Sequence, residues 1–302
     1  MQTNKNKLIN IVSIALLIIV LASLYIFSPD FRGVLEEYGI TDVFNTPQRT
    51  ENDIEVHIID VGQGDSILIN SPDYCVLVDA GPNSSQNKLV SYLKAEKVSR
   101  LDCLVLTHPH EDHIGGADLI LETFETDTVL MPDCPSGSAA FENLLDAIEK
   151  AGLSITIPKR GDTFSLGDMK FTVLAPGDTE YKETNDYSIV LKLEYGSTAF
   201  MLTGDAEALS ENEIIDYFGS DYLKCDVLKA GHHGSSTSNS EKFVKAVSPK
   251  YAAISCELDN SYGHPHKEVR TLFEELEIEY LRTDYDSNIV FVSDGNKVFI
   301  NK

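Results

Sequence analysis

The sequence is organised around one stretch of ten residues, Thr107-His108-Pro109-His110-Glu111-Asp112-His113-Ile114-Gly115-Gly116. It follows an apolar run at residues 101–106 that predicts a buried strand. Imidazole and carboxylate groups at this density are the ligands that a divalent metal such as zinc prefers. His108 and His110 point the same way in extended backbone. If a helix begins at Ile114, Asp112 and His113 lie at its N-terminus and can face a second ion. We therefore expect this stretch to supply half of the ligands of a two-metal site.

Composition limits the kinds of function that fit this chain. It has 302 residues, of which 42% are hydrophobic, which suits one large domain or two small ones. The formal net charge is −24, which argues against a basic groove for nucleic acid, because such grooves bind phosphate through lysine and arginine. A phosphate substrate still fits, since bound divalent cations reverse the local field of an acidic protein. The same acidity favours a soluble monomer.

The N-terminal part of the chain predicts a membrane anchor. Residues 8–27 carry no charge, and as a helix they would be about 30 Å long, enough to cross a bilayer core. A cleaved signal peptide is the alternative, but the length of the run and the lack of a clear cleavage site favour an uncleaved anchor. Lys5 and Lys7 precede the span, so the positive-inside rule puts residues 1–7 in the cytoplasm. We expect a single-pass protein of the cell membrane with an extracytoplasmic globular domain.

The rest of the chain divides into a linker and one globular domain. Residues 28–52 are polar and interrupted by proline and glycine, which is typical of a linker. From residue 53 to residue 302, strand-like apolar runs and amphipathic helices follow each other in two successive series. Each series predicts a sheet with helices on its outer side. We therefore expect an α/β (α+β) fold with four layers, an αββα sandwich.

Further polar groups follow strand-like runs in the second half of the chain. Asp205 comes after the apolar run 199–202, and His232 and His233 come after the run 227–230. A side chain at a strand end is held rigidly, as a metal site requires. Asp205 taken alone also fits the N-cap of a helix. Fold stability alone does not explain why seven of the eight histidines fall in three short segments, 108–113, 232–233 and 264–266.

Together these motifs resemble those of the metallo-β-lactamase superfamily, through His108-x-His110-x-Asp112-His113, Asp79, Asp205 and Gly-His-His-Gly. More closely, four segments resemble the C-terminal hydrolase domain of the competence protein ComEC, in that family's order: 60–65 (DVGQGD), 202–207 (LTGDAE), 228–235 (LKAGHHGS) and 263–265 (GHP). The resemblance covers residues 53 to about 300 and leaves out the N-terminal span. It implies the αββα fold, two divalent metal ions and hydrolytic chemistry.

The resemblance also implies a set of metal ligands. These are His108 and His110 at the first metal, Asp112, His113 and His232 at the second, and Asp205 between both. The superfamily's third histidine at the first metal is missing here, so Asn185 or water takes its place. Zinc is the expected metal, and the missing imidazole makes manganese an alternative. Of the adjacent pair, His232 follows the superfamily's Gly-His pattern, which leaves His233 to contact a phosphate or donate a proton.

In the implied reaction, a hydroxide that bridges the two metals attacks the substrate. Asp112 orients this nucleophile, and His233 or His264 gives a proton to the leaving group. Gly-His-Pro is also a turn that starts a helix, which is the structural alternative for His264. Three more residues are expected to support the site: Ser235 by holding a phosphate, Asp65 by lining the site or by hydrogen bonding to it, and Asp79 by orienting a ligand.

Three functions fit these motifs. The first is a membrane-anchored phosphodiesterase that cleaves nucleic acid such as DNA, which the resemblance implies but the net charge of −24 opposes unless ions screen the polyanion. The second is an esterase for a wall or small-molecule phosphoester, like the choline-phosphate esterases of the superfamily. The third is a binding domain that kept the fold, since one histidine is missing. A β-lactam or thioester hydrolase receives little support, because the closest motifs belong to the phosphodiester branch.

Overall fold

The computed structural model describes residues 53–177 and 179–301 of the chain. The predicted N-terminal segment 1–7, membrane anchor 8–27 and linker 28–52 lie outside the described residues, so they remain predictions. Among the residues that are described, no helix is both long enough and apolar enough to cross a membrane.

Strands and helices alternate along the described chain. In chain order the strands are β1 (Ile54–Ile58), β2 (Ile67–Asn70), β3 (Cys75–Val78), β4 (Arg100–Leu101), β5 (Cys103–Val105), β6 (Glu125–Thr126), β7 (Val129–Leu130), β8 (Ile155–Thr156), β9 (Thr163–Leu166), β10 (Met169–Ala175), β11 (Val190–Tyr195), β12 (Thr198–Leu202), β13 (Val227–Lys229), β14 (Tyr251–Ile254), β15 (Glu279–Arg282), β16 (Ile289–Ser293) and β17 (Val298–Asn301). The α-helices are α1 (Gln86–Ala95), α2 (Glu111–Ile114), α3 (Ala117–Thr123), α4 (Ala139–Lys150), α5 (Ala208–Phe218), α6 (Glu241–Val247), α7 (Lys267–Glu275) and α8 (Thr283–Asp286).

Two large sheets pack face to face. The first has the strand order β17-β16-β1-β2-β3-β5-β7-β8 and the second the order β15-β14-β13-β12-β11-β10-β9. Side chains alternate along β1, so Ile54, Val56 and Ile58 point between the sheets. There they share one apolar core with Phe171 and Phe200 of the second sheet.

Helices cover the outer face of each sheet. On the first sheet, Leu93 of α1 and Leu144 of α4 are buried in one apolar cluster. On the second, Phe243 of α6 and Phe273 of α7 are buried in another. The predicted αββα sandwich is therefore confirmed.

For two of the elements whose bounds differ from the sequence-based prediction, a contact or a backbone conformation gives the reason. The run 101–106 is interrupted after β4, because the carboxylate of Asp102 accepts a hydrogen bond from the backbone N–H of Cys75. The helix predicted to start at Pro265 begins two residues later as α7, because His266 is extended and forms its N-cap.

Parallel strands bring the polar loops to one edge of the sandwich. In the first sheet β3, β5 and β7 are parallel, and in the second β12, β13 and β14 are parallel. The carboxyl ends of parallel strands lie at the same edge of a sheet. The segments after β5, β12 and β13 carry Asp112, Asp205 and His233, whose side chains approach one another there.

Candidate metal centre

Asp205 lies in the middle of the polar side chains that meet at this edge of the sandwich. Its Oδ2 is 3.3 Å from Nε2 of His113, 3.6 Å from Nε2 of His233 and 4.0 Å from Nε2 of His108. One ligand atom from each of four residues lies within 4.8 Å of the others: Asp112, His113, Asp205 and His233. The Asp205 carboxylate therefore stands between imidazoles that come from both sheets.

His108 and His110 lie side by side at one flank of Asp205. Their ring centroids are 4.6 Å apart, and Nε2 of His108 is 3.0 Å from Nδ1 of His110. His108 is buried, whereas His110 is exposed. Burial and the neighbouring charge of His113 lower the pKa of His108 well below its ordinary value, so this imidazole is neutral and able to bind a metal.

The carboxylates of the centre raise the pKa of two buried histidines, His113 and His233. Burial opposes protonation of His233, but Asp205 and Asp112 outweigh it and raise the pKa to about 10. At His113, burial is likewise outweighed by Asp205 and Asp79, and the pKa lies well above its ordinary value. Burial alone would raise the pKa of Asp112, yet His113 and His233 lower it to about 2. A negative field that holds protons this firmly also attracts divalent cations.

Three buried atoms of the centre have no hydrogen-bond partner within the described chain: Nε2 of His113, Nε2 of His233 and Oδ1 of Asp205. Buried polar atoms are otherwise nearly always paired. Imidazole nitrogen and carboxylate oxygen are ligands that zinc and manganese both accept. The residues therefore fit divalent metal ions, and their donor atoms accommodate either metal.

The two histidines of the Gly-His-His-Gly turn occupy different places. Both have left-handed backbone, with φ of 51° for His232 and 54° for His233. His233 is buried, and its Nε2 is 3.3 Å from Oδ2 of Asp112. The His232 side chain is 23% exposed, and its Nε2 is 3.8 Å from Oδ2 of Asp205. His233 is thus buried against both carboxylates, whereas His232 is partly exposed beside Asp205.

Asn185 lies beside His232. Its Nδ2 donates to Oε1 of Glu207 at 3.1 Å and is 3.4 Å from Nδ1 of His232. Its Oδ1 is buried and has no hydrogen-bond partner among the described residues. Asn185 lines the same cavity as His110, so an amide oxygen is available there to a ligand.

Asp79 supports His113 from behind. Nδ1 of His113 and Oδ2 of Asp79 are 2.8 Å apart, and the same carboxylate accepts hydrogen bonds from the N–H and the hydroxyl of Thr107. This contact leaves Nε2 of His113 facing the centre. A hydrogen bond of this kind fixes the tautomer and the orientation of a metal-binding histidine, which suits an orienting role for Asp79.

Lys229 is a buried charge to which the motifs assign no role. It is the last residue of β13, and its Nζ lies 2.7 Å from Oδ2 of Asp65. The other oxygen of Asp65, Oδ1, lies 3.4 Å from Nδ1 of His233. A lysine inside an apolar strand is the available clue in the sequence, since an unpaired buried charge is costly. Asp65 therefore sits behind His233 and contacts it from the side opposite Asp112.

A cavity of about 520 Å³ opens beside the centre, lined by Asp205 and His233 and also by Tyr262 and His264. The rings of Tyr262 and His264 are stacked, with centroids 5.5 Å apart and planes at 20°, and Tyr262 is 66% exposed. Burial and the charges of His233 and His232 lower the pKa of His264 to about 4, so it is neutral at pH 7.

Ser235 is the predicted phosphate contact that does not line this cavity. It is buried, and its hydroxyl is 3.1 Å from the hydroxyl of Thr237. The side chain thus contacts its own turn, and the phosphate contact stays a prediction.

Known proteins resemble this chain over most of the described residues. The model of the metallo-beta-lactamase superfamily matches residues 59–257. ComE operon protein 3 of Bacillus subtilis is 35% identical over 255 residues, which are 78% of this chain and 33% of that protein. Competence protein ComA of Neisseria gonorrhoeae is 32% identical over 242 residues, 80% of this chain and 32% of that protein. The chain spans about a third of the length of these relatives.

A solved structure shares the fold. The metallo-beta-lactamase fold protein YhfI from Bacillus subtilis superposes with a TM-score of 0.54 at 19% identity, over 80% of this chain and 100% of that one. At this identity the likeness shows the architecture alone.

Proposed function

This chain belongs to the metallo-β-lactamase superfamily as a metal-dependent hydrolase, and we propose that it is a phosphodiesterase that cleaves nucleic acid. The observation that carries the proposal is the exposed ring of Tyr262, which lines the same cavity as Asp205 and His233. A nucleobase can stack on such a ring while its phosphate reaches the metal-binding residues. The similarity to Competence protein ComA supports the proposal for the part of that protein that this chain matches.

We propose the following division of the metal ligands: His108, His110 and the amide oxygen of Asn185 for the first ion, Asp112, His113 and His233 for the second, and Asp205 for both. The role of His233 departs from the sequence-based assignment because its Nε2 faces Asp112 and Asp205. His232 then lies at the rim of the cavity and supports metal binding from there.

Divalent ions bound by these residues supply Lewis acidity and lower the pKa of bound water, and zinc or manganese would serve. The chain itself holds the reacting groups in place. Asp79 orients His113, and the carbonyl of Ser255 orients His233 by accepting from its Nδ1–H at 3.1 Å, with Asp65 and Lys229 beside the same ring edge. The attacking water donates a hydrogen bond to Asp112, which orients it. His264, neutral at pH 7, donates its N–H to a phosphate oxygen, and the leaving alkoxide takes its proton from water.

An esterase for a wall or small-molecule phosphoester is the second candidate function. The net charge of −24 favours it, because an acidic protein repels a long polyanion more strongly than a small ester. Glu111 also lines the cavity and suits a cationic group such as choline.

Four substrates separate these candidates when the zinc- or manganese-loaded protein is assayed: single-stranded DNA, bis-p-nitrophenyl phosphate, p-nitrophenylphosphorylcholine and nitrocefin. We expect cleavage of the first two and its loss in Asp205→Ala. Cleavage of the choline ester alone would support the second candidate. Inactivity on every phosphodiester, or a folded Asp205→Ala variant as active as the wild type, would overturn both.

We propose in addition that residues 8–27 anchor the 53–302 domain on the outer side of the cell membrane as a monomer. The uncharged run and the preceding Lys5 and Lys7 support this orientation. Protease added to intact cells should remove the domain, and full protection would refute the orientation. Size-exclusion chromatography with light scattering tests the monomer.

A further inference from the structure

The outer face of β1 carries two buried polar residues where a helix-covered sheet normally presents apolar ones. Glu55 and His57 are only 3% and 2% exposed. They alternate with Ile54, Val56 and Ile58, which fill the core between the sheets, so both point toward α1. Burying a carboxylate and an imidazole together is costly unless each finds a suitable partner.

These residues converge with a third donor at the end of α1. One ligand atom each of Glu55, His57 and Glu96 lies within 4.8 Å of the others. Nε2 of His57 is 3.5 Å from Oε2 of Glu55 and forms no hydrogen bond within the described part of the chain. Nδ1 of His57 lies 2.7 Å from the hydroxyl of Tyr92. The buried face of the imidazole is therefore aimed into the cluster while its other nitrogen is occupied.

Negatively charged groups lie close to one another at the cluster. Glu96 is the C-cap of α1, and the carbonyl groups at a helix C-terminus carry partial negative charge. Two carboxylates thus lie beside a negative helix end. Burial raises the pKa of the Tyr92 hydroxyl, and the negative charges of Glu96 and Glu55 raise it further. A divalent cation is attracted to carboxylates placed in this way.

We propose that Glu55, His57 and Glu96 form a second divalent-metal site, which shares no residue with the centre at Asp205 and ties β1 to α1. Two carboxylates and one imidazole suit zinc or manganese. In the tautomer whose Nδ1–H donates to the Tyr92 hydroxyl, Nε2 of His57 is free for the ion. Glu96 is half-buried, so the ion has a path from solvent. The role is structural and does not depend on the proposed phosphodiesterase activity.

The test counts metal ions in a full chain whose first centre is disabled by His113→Ala and Asp205→Ala. After loading with zinc and dialysis, we expect one zinc per chain by mass spectrometry and a melting temperature that rises on adding zinc. Adding Glu96→Gln should remove both the bound zinc and the rise. Glu149→Gln is the matched control, since Glu149 is an exposed residue at the end of α4.

His57→Gln provides an independent check, because it keeps a polar side chain of similar size and removes the ring nitrogen. We expect it to lose the zinc as Glu96→Gln does. The proposal is wrong if the disabled chain retains no zinc and shows no shift in melting temperature. It is equally wrong if Glu96→Gln and His57→Gln retain as much zinc as Glu149→Gln.

Discussion

Nζ of Lys229 lies 2.7 Å from Oδ2 of Asp65, and solvent reaches almost none of either side chain. The other oxygen of Asp65 is 3.4 Å from Nδ1 of His233. Burial would raise the pKa of Asp65, but Lys229 and His233 lower it well below its ordinary value, so the carboxylate stays ionised. A buried lysine thus pairs with a carboxylate that lies beside His233, whose Nδ1–H donates to the carbonyl of Ser255 at 3.1 Å.

Replacing Lys229 by methionine should destabilise the fold by about 3–5 kcal/mol, because Asp65 would remain as an unpaired buried charge. Urea unfolding followed by circular dichroism measures the loss. The double variant Lys229→Met/Asp65→Asn should recover most of it, since the neutral amide needs no cation. Equal stability of Lys229→Met and the wild type would contradict a buried ion pair.

The turn after β13 yields a prediction that separates its two histidines. His233→Ala should reduce bound metal and phosphodiesterase rate by more than about 100-fold, because it removes a donor from the buried group. His232→Ala should reduce them by about 10–100-fold at most, since His232 stands at the rim. Metal content and rate of the two purified variants give the comparison. A larger loss in His232→Ala would restore the assignment that the sequence favours.

The layers and the metal-binding stretch are predictable from sequence because they depend on local patterns. Alternation in β1 indicates which side chains enter the core between the sheets, helical spacing in α4 indicates which face of the helix is buried, and the density of donors in 108–113 indicates a metal site. The order of His232 and His233 is not predictable in this way. Both have positive φ, and in such a turn neighbouring side chains diverge in directions that spacing does not encode.

Contacts between residues that are far apart in the chain could not be predicted from the sequence. Lys229 and Asp65 come from different sheets, and no local pattern connects them. The bounds of β5 changed for the same reason, because Asp102 bonds to the backbone of Cys75 on a neighbouring strand. Such contacts require the register of the sheets, which one sequence does not provide.

Metal loading should release protons. At pH 7 the metal-free centre keeps His113 and His233 protonated, since the pKa of His233 is about 10 and that of His113 is also raised. Each must lose its proton to offer Nε2, so we expect about two protons released per chain. Affinity should therefore rise as the pH is raised from 7 toward 10 and fall below 7. Calorimetry in two buffers of different ionisation enthalpy measures the release, and a value near zero would contradict protonated histidines.

Tyr262 supplies the sharpest test of nucleic acid as the substrate. Its ring is exposed and stacks on His264 at the cavity that Asp205 lines. Stacking of one base on an aromatic ring contributes about 1–3 kcal/mol. Tyr262→Ala should therefore raise KM for a single-stranded oligonucleotide by about 5- to 150-fold, with kcat little changed. Tyr262→Phe keeps the ring and should retain the wild-type KM.

An abasic oligomer of the same length is the matched substrate, because it has the same phosphodiesters and no base to stack. Its KM should be unaffected by Tyr262→Ala. Tyr285→Ala controls for the loss of an exposed tyrosine elsewhere, since Tyr285 is 69% exposed and contacts Arg282 instead of the cavity. If Tyr262→Ala changes KM for both oligomers alike, the ring acts on the backbone or the turn. Stacking of a base would then be excluded as the basis of recognition, and the small-phosphoester alternative would gain support.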